Sequence, residues 1–377
     1  MDRIKRYIAC NIPITTCNLR CHYCYITQKK KFGDQISKFE YSPQYIRKAL
    51  SVERLGGKCL INLTASGETL LSNEVIPIMS ELLAEGHYIE LVTNGTITKR
   101  FDEIIKLPST LLERLSFKFS FHYLEFIRLN LLDVFINNIN SIRNAGCSFT
   151  VEMTPSDELI EHIDTIKKIC TERLHALPHL TIARDDREIN IPILSQYSFD
   201  EYKNIWGKFE SDLFGFKTEI FYRKRNEFCY AGEWSLYINL MSGQVRQCYR
   251  ESPLKNIYAD LKSPIEYLPV GNNCNLPHCY NGHAFLTLGC IPQLKAPIKV
   301  PTYADVRNRK DGNGEEWLKD PYKTFISGKL KDANMEYSSI RKLQINAKHR
   351  FKLFSNKPFW KKIKNKAIKY MQKKGGK

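Results

Sequence analysis

Thr16-Cys17-Asn18-Leu19-Arg20-Cys21-His22-Tyr23-Cys24-Tyr25 places three cysteines in ten residues, at the spacing C-x3-C-x2-C. Three thiolates so spaced can hold three irons of a four-iron cluster and leave the fourth iron open to a small chelating molecule. Short cysteine spacings also bind zinc, so a zinc knuckle or a redox pair stands beside the cluster reading. The run follows an apolar stretch from Arg6 to Ile14 that has the character of a strand. The cysteines are therefore predicted on a loop leaving the C-terminal end of a first strand.

Working outward, helical and strand patterns alternate. Ser42-Pro43 opens a helix to about Arg54, closed by Gly56-Gly57. Strands are predicted at 59–64, 88–93, 115–122, 148–153 and 179–183, with helices at 73–85, 130–144, 157–174 and about 199–209. Six strand–helix units in succession imply a parallel sheet. They are too few for a closed eight-fold barrel. The expected fold class is α/β, a partial (β/α)6 TIM-type barrel over residues 1–215, followed by a small α+β domain over 216–336 and a basic helical tail over 337–377.

Such folds carry their chemistry at the C-terminal ends of their strands. That rule singles out Gly67 and Glu68 after the second strand, Asn94 after the third, Ser120 and His122 at the fourth, Glu152 on the fifth and Arg184 after the sixth. Glu152 is the candidate for a catalytic carboxylate, and Arg184 suits a bound carboxylate.

With 377 residues, 43% of them hydrophobic, the chain can bury one large core or two smaller ones. No apolar run approaches the roughly 20 residues of a spanning helix, and the N-terminus lacks a signal-peptide core, so a cytoplasmic protein is expected. Twelve cysteines without an export signal argue for metal ligation rather than disulfides. Cys10, Cys59, Cys147 and Cys170 stand singly and read as small buried hydrophobes. The net charge of +17 resides in the tail, where residues 337–377 hold fourteen Lys or Arg and no acid, leaving +3 for the rest. Apolar residues at 359, 360, 363, 367, 370 and 371 recur at helical spacing opposite lysines. Such a helix suits an anionic membrane surface and peripheral attachment to its inner face. Nucleic acid is the rival partner, and a solvated tail the plain alternative.

The cysteine run resembles the radical S-adenosylmethionine (radical SAM) enzymes, whose motif is C-x3-C-x-aromatic-C, with Tyr23 in the aromatic slot. Ala65-Ser66-Gly67-Glu68-Thr69-Leu70 resembles the family's G-G-E-P segment, with Ser for the first Gly and Thr for Pro. The resemblance implies a 4Fe-4S cluster on Cys17, Cys21 and Cys24, with S-adenosylmethionine on the open iron. It further implies cofactor contacts from Tyr23, Gly67, Glu68 (to the methionyl ammonium), Asn94, Ser120 (to the ribose) and Arg184.

Towards the C-terminus, Cys229 and Cys248 flank a predicted hairpin around Met241-Ser242-Gly243-Gln244. The spacing C-x13-G-x4-C is similar to the opening of the SPASM and twitch extensions of that family. By this resemblance Cys229, Cys248, Cys274 and Cys279 hold one auxiliary iron–sulfur cluster of 4Fe-4S type, with zinc as the alternative occupant. Cys290 is then structural, or a hydrogen-atom donor if the reaction is an epimerisation. The implied activity is reductive cleavage of S-adenosylmethionine to a 5′-deoxyadenosyl radical, with flavodoxin or ferredoxin as reductant, followed by hydrogen abstraction from a substrate. Only sixteen residues precede Cys17, so no leader-peptide-binding domain is expected. The favoured outcome is therefore oxidation or epimerisation of a sugar or carrier-lipid-linked glycan. A ribosomal peptide substrate is the alternative, and a non-catalytic iron–sulfur or zinc protein the second.

Overall fold

The computed structural model describes residues 2–36, 38–249, 253–294 and 298–355. Its strands are β1 (Arg6–Ile12), β2 (Cys59–Ala65), β3 (Tyr88–Thr93), β4 (Leu115–Phe121), β5 (Ser148–Met153), β6 (His179–Leu180), β7 (Ser235–Asn239) and β8 (Val245–Arg246). They form one sheet in the order β6-β5-β4-β3-β2-β1-β7-β8, parallel throughout except for the final β7–β8 pair. The sheet does not close, which is the partial-barrel form expected for this number of units.

The two faces follow the period of the strand. In β4, Phe117, Phe119 and Phe121 point outward to pack on Phe101, Phe126 and Phe135 of the covering helices. Ser116, Lys118 and Ser120 alternate with them and face the interior. Asn62 on β2, Glu90 on β3 and Glu152 on β5 put further polar groups inside, and Asn62 Nδ2 donates to Glu90.

Three local features differ from the sequence expectation. The helix from residue 43 breaks into Pro43–Ala49 and Val52–Leu55, because the Ser51 hydroxyl accepts from Arg54 N at 3.3 Å and caps a new start. β6 ends after two residues: Thr181 N still donates to Met153 O at 3.0 Å, but beyond it the chain turns, with Leu194 N donating to Ala183 O at 2.9 Å and Arg184 bridging Ile193. The first strand of the expected hairpin, β7, lies parallel against β1 and extends the main sheet.

Residues 303–325 close the N-terminal end of the strands. Phe325 stacks on Tyr88 with ring centroids 3.7 Å apart, and Phe149 N donates to Trp317 O at 3.0 Å. Tyr303 and Arg307 enter the interior from this side. Tyr303 OH donates to both Glu90 oxygens at 3.0 Å, and the fully buried Arg307 is ion-paired with Glu90 and Glu152. Burial would push the Glu90 carboxyl up, but Arg307, Lys118 and the two hydrogen bonds outweigh it and hold the pKa low.

The helix Ser339–Ser355 begins the basic tail. It docks through Asn346, whose Oδ1 accepts from Asn272 N and Asn273 Nδ2 at 3.0 Å, and through His349, which donates to Pro269 O at 2.8 Å. The amphipathic stretch at 358–371, with its membrane and nucleic-acid readings, lies outside the described residues. Among the described residues no helix is long and apolar enough to cross a membrane.

His87 locks two of these elements together as a neutral imidazole. Nδ1 accepts from Cys59 N at 3.1 Å, so the proton sits on Nε2, which donates to Leu50 O at 2.8 Å. Burial pushes its pKa down to about 4. The unfolded chain therefore takes up this proton near pH 6.5 while the folded protein refuses it until about 4. Stability should fall across that window as the pH drops, by up to about 1.4 kcal/mol per unit from this group. Urea unfolding from pH 7 to 4 should show a shallower loss in His87→Gln, and an unchanged slope would remove His87 as its source.

Candidate functional site

The cysteine loop is held by a continuation of the sheet. Beyond the paired register of β1 and β2, Ser66 N donates to Ile12 O at 3.1 Å, Gly67 N to Ile14 O at 2.6 Å and Glu68 N to Thr16 O at 3.0 Å. This brings the two loops so close that a Cβ on Gly67 would stand 2.0 Å from Thr16 O. Other strand exits brace the same loop. Asn94 Nδ2 donates to Asn18 Oδ1, Asn18 Nδ2 donates to Thr96 Oγ1, both at 2.8 Å, and Arg20 N donates to Glu125 at 2.7 Å.

Cys17, Cys21 and Cys24 thereby line a single cavity of about 150 Å³, together with Gly67, Glu68, Asn94, Ser120 and His122. Glu68 is buried, and its carboxylate accepts from Leu70 N, Thr93 Oγ1 and Asn94 N at 2.7–2.9 Å. Burial raises its pKa against those three bonds. Tyr23 OH meets His122 Nδ1 at 2.6 Å. Burial pushes His122 down to about 4 and Tyr23 well up, so a neutral imidazole accepts from an intact phenol.

The donor set fits an iron–sulfur cluster. The three thiols are gathered where burial, with neighbouring negative charge added, pushes their pKa values up, Cys17 to about 11. A cationic metal cluster is what stabilises several thiolates in so small a volume. Among the described residues no three His, Cys, Asp or Glu side chains converge as ligands of one metal ion.

A second cavity, about 480 Å³, opens next to the first and shares Ala65 and Ser66 with it. Glu152 and Arg184 are here rather than at the cysteines, with Lys118, Lys217 and His283. Glu152 is ion-paired with Arg307 and lies 3.9 Å from Lys118. A further concavity, about 970 Å³, is lined from residues 207–219 and 299–327 and contains no cysteine. The site is placed at the first two cavities, where the thiols and the strand-end residues come together.

The C-terminal cysteines lie near one another. The charge of Cys290, Cys279 and Cys248 raises Cys229, after burial, and that of Cys248 and Cys274 raises Cys279. Cys290 is buried, donates to Ser235 Oγ at 3.4 Å and lines neither cavity. Tyr249 beside Cys248, and Tyr280, Asn281 and His283 beyond Cys279, line the second cavity. Tyr25, beside Cys24, lines it too, so neighbours of both thiol groups border one cavity.

Sequence reasoning missed Lys118, Lys217 and the bracing residues Asn18 and Glu125. Lys118 carried a signal, because a lysine within Phe117-Lys118-Phe119 of a buried parallel strand must face inward or unfold the strand. Lys217 lies on the helix Asp212–Ile220, which was not predicted.

Residues 11–169 match the family model described as the Radical SAM superfamily. Among solved structures, SuiB of Streptococcus suis bound to S-adenosylmethionine is 12% identical over 69% of this chain and 64% of its own, with a TM-score of 0.46. The structure of anSMEcpe with bound AdoMet is 15% identical over 68% of this chain and 76% of its own, at 0.48. BtrN in complex with AdoMet and 2-DOIA is 14% identical over 68% and 80%, at 0.36. The chain thus spans just under two thirds of SuiB. Curated proteins offer no match.

Gly67→Ala forces the two loops apart, and unfolding free energy in urea should fall by about 1–3 kcal/mol. Wild-type stability would show that the loops are not clamped at this point.

Proposed function

We propose, from the premise that residues 11–169 form a domain of the radical SAM superfamily, that the protein is an enzyme acting on a compact polar molecule. The terminal sugar of a carrier-lipid-linked glycan is such a group. The carrying observation is the pair of adjoining cavities, one lined by three thiols and Glu68, the other polar and large enough for a small substrate.

A four-iron cluster with S-adenosylmethionine, when bound, supplies a 5′-deoxyadenosyl radical able to take a hydrogen atom from an unactivated C–H bond. Cys17, Cys21 and Cys24 would hold the cluster. Glu68, fixed by its three hydrogen bonds, would orient the methionyl ammonium. Asn94 and Ser120 line the same cavity and can reach the rest of the nucleoside. Tyr23 and His122 close one wall and exclude water. Glu152 faces the substrate cavity, held by Arg307, and would position substrate hydroxyls.

Cys229, Cys248, Cys274 and Cys279 would hold an auxiliary cluster whose neighbours line the substrate cavity. Its role would be to take an electron from a substrate radical, giving oxidation. Cys290 lies among these thiols and away from the cavity, which favours a structural or ligand role over hydrogen-atom donation.

Anaerobic reconstitution with iron, sulfide, S-adenosylmethionine and dithionite should give about eight irons per chain and release 5′-deoxyadenosine. Cys24→Ala should abolish that release and remove about half of the iron. Zinc without cleavage would overturn the proposal. Glu68→Gln should weaken S-adenosylmethionine binding by about tenfold in calorimetry while leaving the iron content unchanged.

A further inference from the structure

The second cavity holds more positive charge than its own carboxylates balance. Lys118, Arg184 and Lys217 line it, and Glu152 and Asp186 are the carboxylates among its lining residues. Glu152 is engaged by Arg307 and Lys118, Glu90 by Arg307, and Asp186 by Lys29 at 3.9 Å. Around the cavity, three carboxylates therefore face five cations, leaving two positive charges over. The surplus belongs to Arg184 and Lys217. Among the described residues neither has a carboxylate within ion-pair distance. Arg184 donates only weakly, to Tyr280 O at 3.4 Å, and Lys217 donates to the hydroxyl of Thr181.

Cations withdrawn from water without a counter-ion are costly, and the structure shows the strain. Burial, then the charges of Arg184 and Lys118, push the Lys217 pKa well down. Burial and the same group of cations, Lys217 first, hold the His283 imidazole neutral. The neutral donors Tyr249, Asn281 and His283 line the same space, so charge and hydrogen-bond donors converge on one volume.

We infer that the second cavity recognises its substrate through a doubly negative oxyanion, a phosphoryl group or a pair of carboxylates, bound between Arg184 and Lys217. This rests on the reading of that cavity as the substrate site, and it gives the substrate class a required charge. A planar guanidinium beside an ammonium suits such an oxyanion. The remaining polar lining is left for the part of the molecule that faces the first cavity through Ala65 and Ser66.

The test is calorimetric titration of the full chain, without S-adenosylmethionine, with inorganic phosphate and separately with malonate. Wild-type protein should bind at least one, and Arg184→Gln and Lys217→Met should each weaken that binding by about tenfold or more. Tighter binding of phosphate assigns a phosphoryl group, and tighter binding of malonate assigns carboxylates. In anion-free buffer both variants should melt at or above the wild-type temperature, since each removes a charge without a partner. Absent binding, binding unchanged in both variants, or a large loss of melting temperature in both would overturn the inference. 5′-Deoxyadenosine release, measured in parallel without either anion, reports on the enzyme reading by itself. Cleavage without anion binding would sink only the oxyanion.

Discussion

The site depends on a ladder of backbone hydrogen bonds that does not stop where its strands stop. Ser66, Gly67 and Glu68 keep donating to the chain that leaves β1, through Ile12, Ile14 and Thr16. A cysteine loop would otherwise be a mobile surface segment. Here it is fastened to the sheet along its whole approach, and the absence of a side chain at Gly67 sets how near the two exits come. Glu68 links this contact to the next strand by accepting from Asn94 N, and Asn94 reaches back to Asn18 between Cys17 and Cys21. Three strand ends thus fix the positions of three thiols.

The inside of the half-barrel is governed by charge. Parallel strands covered by helices bury both faces, and a polar residue on the inner face needs a partner. Glu90 and Glu152 find theirs in Arg307, delivered more than 150 residues later by the segment that closes the strands' N-terminal end. That segment ties the lower interior into an ion-paired network. The upper interior stays open, with Lys118 at the boundary between the two. Among the described residues Arg184 and Lys217, above it, have no carboxylate within ion-pair distance, which gives the open volume its electrostatic character.

Much of this was legible beforehand. The alternation of apolar strands with helical stretches located five strands to within a residue or two, and the position of Cys17, Cys21 and Cys24 after the first of them followed from chain order. Glu68, Asn94, Ser120 and His122 were found because parallel sheets collect functional groups at one edge, and they do share one cavity. The β7–β8 hairpin was read from its alternation, but nothing local reveals that the other edge of β7 is satisfied by β1. β6 was drawn too long because Ala183 and Arg184 pair with Leu194 and Ile193 instead of with β5, a turn that the apolar run 179–183 does not announce.

From the sequence alone came the elements and the chemistry they carry: periodicity is a local property, and three thiols within eight residues must be neighbours in any fold. Only the tertiary structure decided which groups share a volume. It put Arg184 and Glu152 beside Lys118 in the second cavity rather than beside the cysteines, and brought neighbours of both thiol groups, Tyr25, Tyr249 and Tyr280, to that one cavity. It also tied Arg307 to Glu90. Contacts between residues far apart in the chain depend on sheet order and on which cation reaches which buried carboxylate, and those are properties of the packed chain that no stretch of it contains.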